Sequence, residues 1–393
     1  MTLQEILRLG AERHASDVHI SVDRRPAFRI DGQVYVATDL APMTADDIAR
    51  QLAEVIDQPR LDALHTHKEL DFPVDFEGIG RFRGNAGFDR GKLFLVFRRI
   101  SVPSMEIDSL GLPSICKVLA MKHSGMIIVT GPSGSGKSTT LAAMIDYVNA
   151  QVNKRIVTLE DPIEYLFFDK RSVISQRELG EDTLSFDAGL IHALRQNPDI
   201  IMVGEMRDEN TLSTALRAAE TGHLVITTAH APSASQAVDR IMDLFAERHQ
   251  AQVRTQLAAV LEGVLYQKLL PRRTGEGLVP AVEVMLGSYA VRNIIREGKT
   301  HQLATAIQAG NDVGMQSFDR SLVQLFSRGY ITEEVALEHC HHRKDIEGEL
   351  RAARASLTAG AHPQANAPHF GPQTRSMPPL AGSASHRSTP PTP

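Results

Sequence analysis

The chain has 393 residues, a formal net charge of −5, 23% charged and 5% aromatic residues. That length exceeds one ordinary core and implies two domains, and the mixed, slightly acidic charge carries no footprint of direct nucleic-acid binding. The two cysteines, Cys116 and Cys340, lie far apart without partners at metal-ligand spacing, which excludes a disulfide framework and a zinc module, and the absence of a secretory leader pattern or an apolar run of ~20 residues makes a soluble cytoplasmic protein the expectation.

Residues 1–100 read as a small α+β domain. An amphipathic helix is expected over Leu3–His14, followed by short strands at Asp17–Ser21, Ala27–Ile30 and Val34–Ala37, the last two joined by a hairpin turn at Asp31-Gly32. A helix over Ala45–Ile56 with Thr44 as its N-cap leads to a strand pair, Gly80–Ala86 and Leu93–Arg98, turning at Asp89–Gly91. This part carries an arginine-rich set, Arg81, Arg83, Arg90, Arg98 and Arg99. These are either solvated strand residues or, for Arg98 above all, side chains that reach a nucleotide held by the neighbouring domain or subunit. Residues 101–118, rich in proline and glycine breakers, read as a linker.

Residues 119–355 switch to strands alternating with helices, the pattern of a parallel α/β sheet. Four apolar strands are predicted: Met126–Thr130, Ile156–Leu159, Ile200–Val203 and Leu224–Thr228, with mostly helical structure from Ala234 to Arg351. Between the first strand and a predicted helix over Thr139–Tyr147 lies Gly131-Pro132-Ser133-Gly134-Ser135-Gly136-Lys137-Ser138-Thr139. It fits the phosphate loop G-x-x-x-x-G-K-[ST] at every required position, in the strand–loop–helix context that gives the motif its meaning. The backbone N–H groups of Ser133, Gly134, Ser135, Gly136, Lys137, Ser138 and Thr139 would wrap the phosphates, Lys137 would reach the β- and γ-phosphates, and the Ser138 hydroxyl would sit on Mg²⁺. A nucleoside triphosphate such as ATP is therefore the expected ligand. Residues 356–393 are rich in Pro, Ala, Ser, Gly and His, and acidic residues are lacking beyond 358; they read as a disordered tail.

Ligands of a parallel α/β sheet bind at the carboxyl ends of its strands, and chemical residues collect there. Glu160 to Glu164 follow the second strand, Gly204-Glu205-Met206-Arg207-Asp208 the third, and Ala229-His230 the fourth. Glu205 stands where a Mg²⁺-associated acid belongs, with Asp199 at the wrong end of its strand. Glu160 and Glu164 both qualify to activate the attacking water, and His230 to contact the γ-phosphate or the water. His223, before its strand, is either structural or functional.

With these residues in place the chain resembles the secretion ATPases, and within them the type IV pilus retraction ATPases, the PilT/PilU group. The marks are Ala15-Ser16-Asp17-Val18-His19, Gly78-Ile79-Gly80-Arg81-Phe82-Arg83, an acidic box Leu159-Glu160-Asp161-Pro162-Ile163-Glu164-Tyr165, the atypical Walker B element at Gly204–Asp208, and a His box from Glu220 to His230. Ala290–Glu297 and Gly314–Asp319 are similar to the C-terminal motifs of retraction ATPases. The resemblance implies a PAS-like N-terminal domain, a RecA-like motor domain and a homo-hexameric ring at the cytoplasmic face of the inner membrane, turning a membrane platform protein and working beside a paralogous retraction ATPase. It further implies that nucleotide lies between the two domains, with Glu164 the catalytic glutamate, Glu205 the Walker B acid, and twitching motility and DNA uptake the outcome. The His box departs from the family's usual Thr-Leu-His-Thr, reading Thr228-Ala229-His230-Ala231. The Gly-Glu-Met-Arg-Asp element favours the primary retraction motor and Phe318-Asp319-Arg320-Ser321-Leu322 the accessory one. A pilus-extension ATPase is disfavoured by the lack of a four-cysteine module, and a small-molecule kinase by the large N-terminal domain. A ring subunit that binds nucleotide and regulates an active partner is the alternative from another class.

Overall fold

A computed structural model describes residues 1–30, 32–100 and 106–358, with side chains to residue 355. Expectations that fall on Asp31, on 101–105 and on the tail at 359–393 lie outside the described residues.

The N-terminal helix α1 (Leu3–Glu12) starts at a capping box in which the Thr2 hydroxyl accepts from the Glu5 amide and the Glu5 carboxylate accepts from the Thr2 amide. Leu3, Ile6, Leu7 and Gly10 form its buried stripe. It covers a six-stranded antiparallel sheet built from β1 (Asp17–Ser21), β2 (Ala27–Ile30), β3 (Gln33–Val36), β4 (Glu69–Phe76), β5 (Gly80–Asp89) and β6 (Lys92–Arg99) in the order β3-β2-β1-β6-β5-β4. The helix α2 (Ala45–Val55) is capped by Thr44, whose hydroxyl accepts from the Asp47 amide at 3.2 Å. Phe28, Phe72, Phe82 and Phe97 fill the core of this unit. Two elements go beyond the sequence pattern: the helix α3 (Gln58–His67) and the strand β4 that follows it. Leu64 is the sole buried residue of α3, so no apolar stripe marks it. Pro73 disguises β4, but β4 is an edge strand, where a missing donor is tolerated.

The second sheet holds seven strands: β7 (Gly125–Thr130), β8 (Arg155–Glu160), β9 (Val173–Glu178), β10 (Ile200–Val203), β11 (Leu224–Ala229), β12 (Leu261–Pro271) and β13 (Leu278–Leu286). They lie in the order β13-β12-β7-β11-β10-β8-β9, parallel except for β13. Every residue of β7 and β10 is buried, as a parallel strand covered on both faces requires. The first covering helices are α4 (Ile115–Ala120), α5 (Lys137–Gln151), α6 (Phe186–Ala193), α7 (Glu209–Glu220), α8 (Ala234–Asp243) and α9 (Glu247–Val260). Helices α10 (Tyr289–Arg296), α11 (Leu303–Ala309), α12 (Phe318–Ser327), α13 (Glu333–His339) and α14 (Arg343–Thr358) follow among the described residues.

The expectation of mostly helical structure from Ala234 to Arg351 is corrected here: β12 and β13 form a long antiparallel pair, and β12 joins the sheet beside β7. Their apolar runs are buried on both faces, and a short run of that kind has no period to separate strand from helix. The proposed linker is also shorter than expected, because Ile107, Leu110, Leu112 and Cys116 are buried with Leu141, Ile145 and Val282 under the second sheet. β9, likewise absent from the sequence pattern, meets the first unit: Arg81 pairs with Glu178 at 2.9 Å, and Arg60 with Glu181 on the turn just beyond.

Candidate functional site

Register sets the site. Thr130 at the end of β7 lies opposite Ala229, and Val203 lies between Thr227 and Leu159. The residues that leave β7, β8, β10 and β11 therefore emerge along one edge. There they line a cleft of about 570 Å³ together with Ser133 to Thr139, Glu160, Glu164, Glu205, Arg207 and His230.

The phosphate loop is held from below by a strand that sequence reasoning missed. Gln267 of β12, fully buried, donates to the Ser135 carbonyl at 2.7 Å and accepts from the Thr140 hydroxyl at 2.7 Å. Gly131, at φ +147°, passes so close to this strand that a Cβ would stand 2.2 Å from the Gln267 carbonyl oxygen, so only glycine fits. Gly134 and Gly136 are left-handed, at φ +73° and +83°, which turns the loop into the N-terminus of α5. The buried Ser135 hydroxyl has no protein partner, a polar group of the kind a phosphate oxygen would satisfy. Lys137 donates to the loop carbonyls of Gly131 and Pro132 at 3.0 and 2.9 Å. Burial holds its ammonium below the usual lysine range, opposed by the charges of Glu205 and Glu164.

The two glutamates of the acidic box occupy different surroundings. Glu160 is 7% exposed, and its Oε1 accepts from the Thr158 hydroxyl at 2.7 Å and from Gln176 Nε2 at 2.9 Å. Burial pushes its carboxyl up to about 7 against those two bonds. Glu164 faces the phosphate loop, its Oε1 accepting from the Ser138 hydroxyl at 3.1 Å. Next to it the Tyr165 hydroxyl meets Thr139 Oγ1 at 2.8 Å.

Glu205 is flanked by two cationic or polar groups, Arg207 Nη2 at 2.8 Å and His230 Nε2 at 3.5 Å. Thr228 ties the neighbouring strand ends together by donating to the Gly204 carbonyl at 2.5 Å. Asp199 lies at the opposite edge of the sheet, where it binds Lys154 and the Arg155 amide. His223 is at that edge too, its Nδ1 against the Ala218 carbonyl. Arg98 is not brought to the cleft of its own chain: on β6 it pairs with Asp17 at 2.8 Å. Arg207, Tyr165, Thr228, Gln176 and Gln267 join the site without a sequence expectation of their own. Arg207 stands inside a recognised motif, whereas nothing local marks Gln267 on its hidden strand.

Oxygen donors suited to Mg²⁺ converge in this cleft: the Ser138 hydroxyl and the carboxylates of Glu205 and Glu164. Among the described residues no cluster of three or more His, Cys, Asp or Glu is placed to hold a metal by itself. That arrangement fits Mg²⁺, which is bound through one or two side chains with phosphates and waters completing an octahedron.

Comparison with known proteins places residues 96–342 in the Type II/IV secretion system protein family. Over 338 residues the chain is 40% identical to the type IV pilus retraction ATPase PilT of Pseudomonas aeruginosa, covering 86% of this chain and 98% of that one. It is 38% identical over 347 residues to the type IV pilus ATPase PilU of the same organism, covering 88% and 90%. The crystal structure of the pilus retraction motor PilT with bound ADP superposes with a TM-score of 0.82 at 41% identity, over 88% of this chain and 99% of the other.

Proposed function

Because the chain belongs to the Type II/IV secretion ATPase family, in which it stands beside the pilus retraction ATPases, we propose that it is the ATP-hydrolysing motor of type IV pilus retraction. It works as a homo-hexameric ring at the cytoplasmic face of the inner membrane and turns a platform protein there. The observation that carries the chemistry is the meeting of the phosphate loop, the Ser138–Glu164 hydrogen bond and the Glu205–His230 contact in one cleft.

In this mechanism the loop amides and Lys137 bind the β- and γ-phosphates and offset the charge that grows on them as the bond between them breaks. Mg²⁺, when bound, supplies further charge neutralisation from Ser138 and Glu205. Glu164 orients the attacking water and takes its proton, leaving ADP and inorganic phosphate. Its exposure and its hydrogen bond from Ser138 support this role over Glu160, which borders the same cleft but is 7% exposed and tied up by Thr158 and Gln176. His230, lining the cleft beside Glu205, senses the γ-phosphate and passes its loss to β11. Arg98 does not line its own chain's cleft, pairing with Asp17 instead, and is assigned to the site of a neighbouring subunit.

The test is Mg²⁺-dependent ATP hydrolysis across size-exclusion fractions whose mass is read by light scattering. Turnover confined to a hexamer-sized peak is expected. A hexamer that binds ATP but barely hydrolyses it would instead mark an accessory ring subunit, and full activity in a monomer would overturn the ring.

A further inference from the structure

β9 is an outer strand of the sheet and none of its residues lines the cleft, yet Gln176 at its middle grips the Glu160–Phe167 segment at three points. Its Nε2 donates to Glu160 Oε1 at 2.9 Å and to the Tyr165 carbonyl at 2.8 Å, while its Oε1 accepts from the Phe167 amide at 2.8 Å. The bonds fall on both sides of Glu164. On the side of the phosphate loop the same segment is held by Ser138 to Glu164 and Thr139 to Tyr165.

We propose that Gln176 is a positioning residue for ATP hydrolysis, its amide fixing the Glu160–Phe167 segment so that the Glu164 carboxylate faces Ser138 and the γ-phosphate. This rests on Glu164 being the group that activates water. The chemistry asks for an amide: two contacts need a donor and the third an acceptor, which a carboxylate or a thioether cannot supply together. A carboxylate at this position would set oxygen against the Glu160 oxygen and the Tyr165 carbonyl. Asparagine is one methylene too short to span the same three points. A small displacement of Glu164 is enough to matter, since a misplacement of ~1 Å remote from the reacting atoms can cost on the order of 100-fold in rate.

The experiment measures kcat, KM for ATP and ADP affinity for Gln176→Met and Gln176→Glu in the full-length protein, with Glu164→Gln and the double variant Gln176→Met/Glu164→Gln alongside. Gln176→Met should lower kcat about 10- to 100-fold with KM and ADP affinity within about threefold of wild type. Gln176→Glu should lose at least as much. Once Glu164 is an amide there is no base left to position, so the double variant should hydrolyse no slower than Glu164→Gln alone. Wild-type kcat in Gln176→Met would overturn the proposal, as would equal losses in kcat and ADP affinity, or a double variant slower by the full product of the two effects. If Gln176→Met fails to fold, Gln176→Glu measured against the same Glu164→Gln background decides it. Wild-type turnover in Glu164→Gln would instead remove the base assignment on which the proposal stands.

Discussion

Glu160→Gln offers a direct measure of what the buried carboxyl at the end of β8 does to the fold. Its side-chain hydrogen bonds from Thr158 and Gln176 arrive at one oxygen. A glutamine can keep its own carbonyl oxygen there and retain both, so the substitution chiefly removes the titration. Burial raises the carboxyl from 4.5 to about 7. The folded protein therefore holds this proton to higher pH than the unfolded chain does, and stability must fall as pH rises from about 4.5 to about 7, then level off. At roughly 1.4 kcal/mol for each tenfold difference in proton affinity between the folded and unfolded chain, the full loss in wild type is about 3 kcal/mol. Linkage between the two states makes the advantage of the amide variant about 1 kcal/mol at pH ~5.5 and about 3 kcal/mol at pH ~8.5. Urea unfolding of nucleotide-free protein, followed by far-ultraviolet circular dichroism at pH values across that range, reads the difference directly. Stability curves of the two proteins that run parallel with pH would refute this account, as would a wild type that gains on the variant toward alkaline pH.

Three further substitutions probe the cleft. Lys137→Ala removes the charge nearest the phosphates and should abolish hydrolysis; phosphate release at the wild-type rate would sink the assignment of this loop. Glu164→Gln should keep ATP binding but slow single-turnover hydrolysis about 10²–10⁴-fold, the range for loss of a general base, and an equal loss of binding would point to a structural role. Gly131→Ala drives a methyl group to within 2.2 Å of the Gln267 carbonyl and 2.7 Å of Ser135 Oγ. It should weaken binding of a fluorescent ADP analogue by about 100-fold or more through distortion of the loop, and unchanged affinity would show that β12 does not shape it.

Local chemistry declared much of this protein in advance. The phosphate loop is contiguous, so Gly131 to Thr139 carry their chemistry in the spacing of nine residues. The four central strands are short apolar runs that only a sheet buried on both faces can use, and caps such as Thr44 mark helix starts by the oxygen they offer to free amides. From this the acidic and histidine residues at the strand ends could be gathered onto one edge, because parallel strands share a direction. What remained hidden depends on partners far away in the chain. β12 and β13 become strands because β12 pairs with β7 at its edge and apolar clusters cover both faces of the pair, a circumstance that no local period records. Only that placement brings Gln267 beneath the phosphate loop. The division of labour between Glu160 and Glu164 is tertiary for the same reason: four residues apart and identical in type, they are separated by the burial of one behind Gln176 of β9 and the exposure of the other to Ser138.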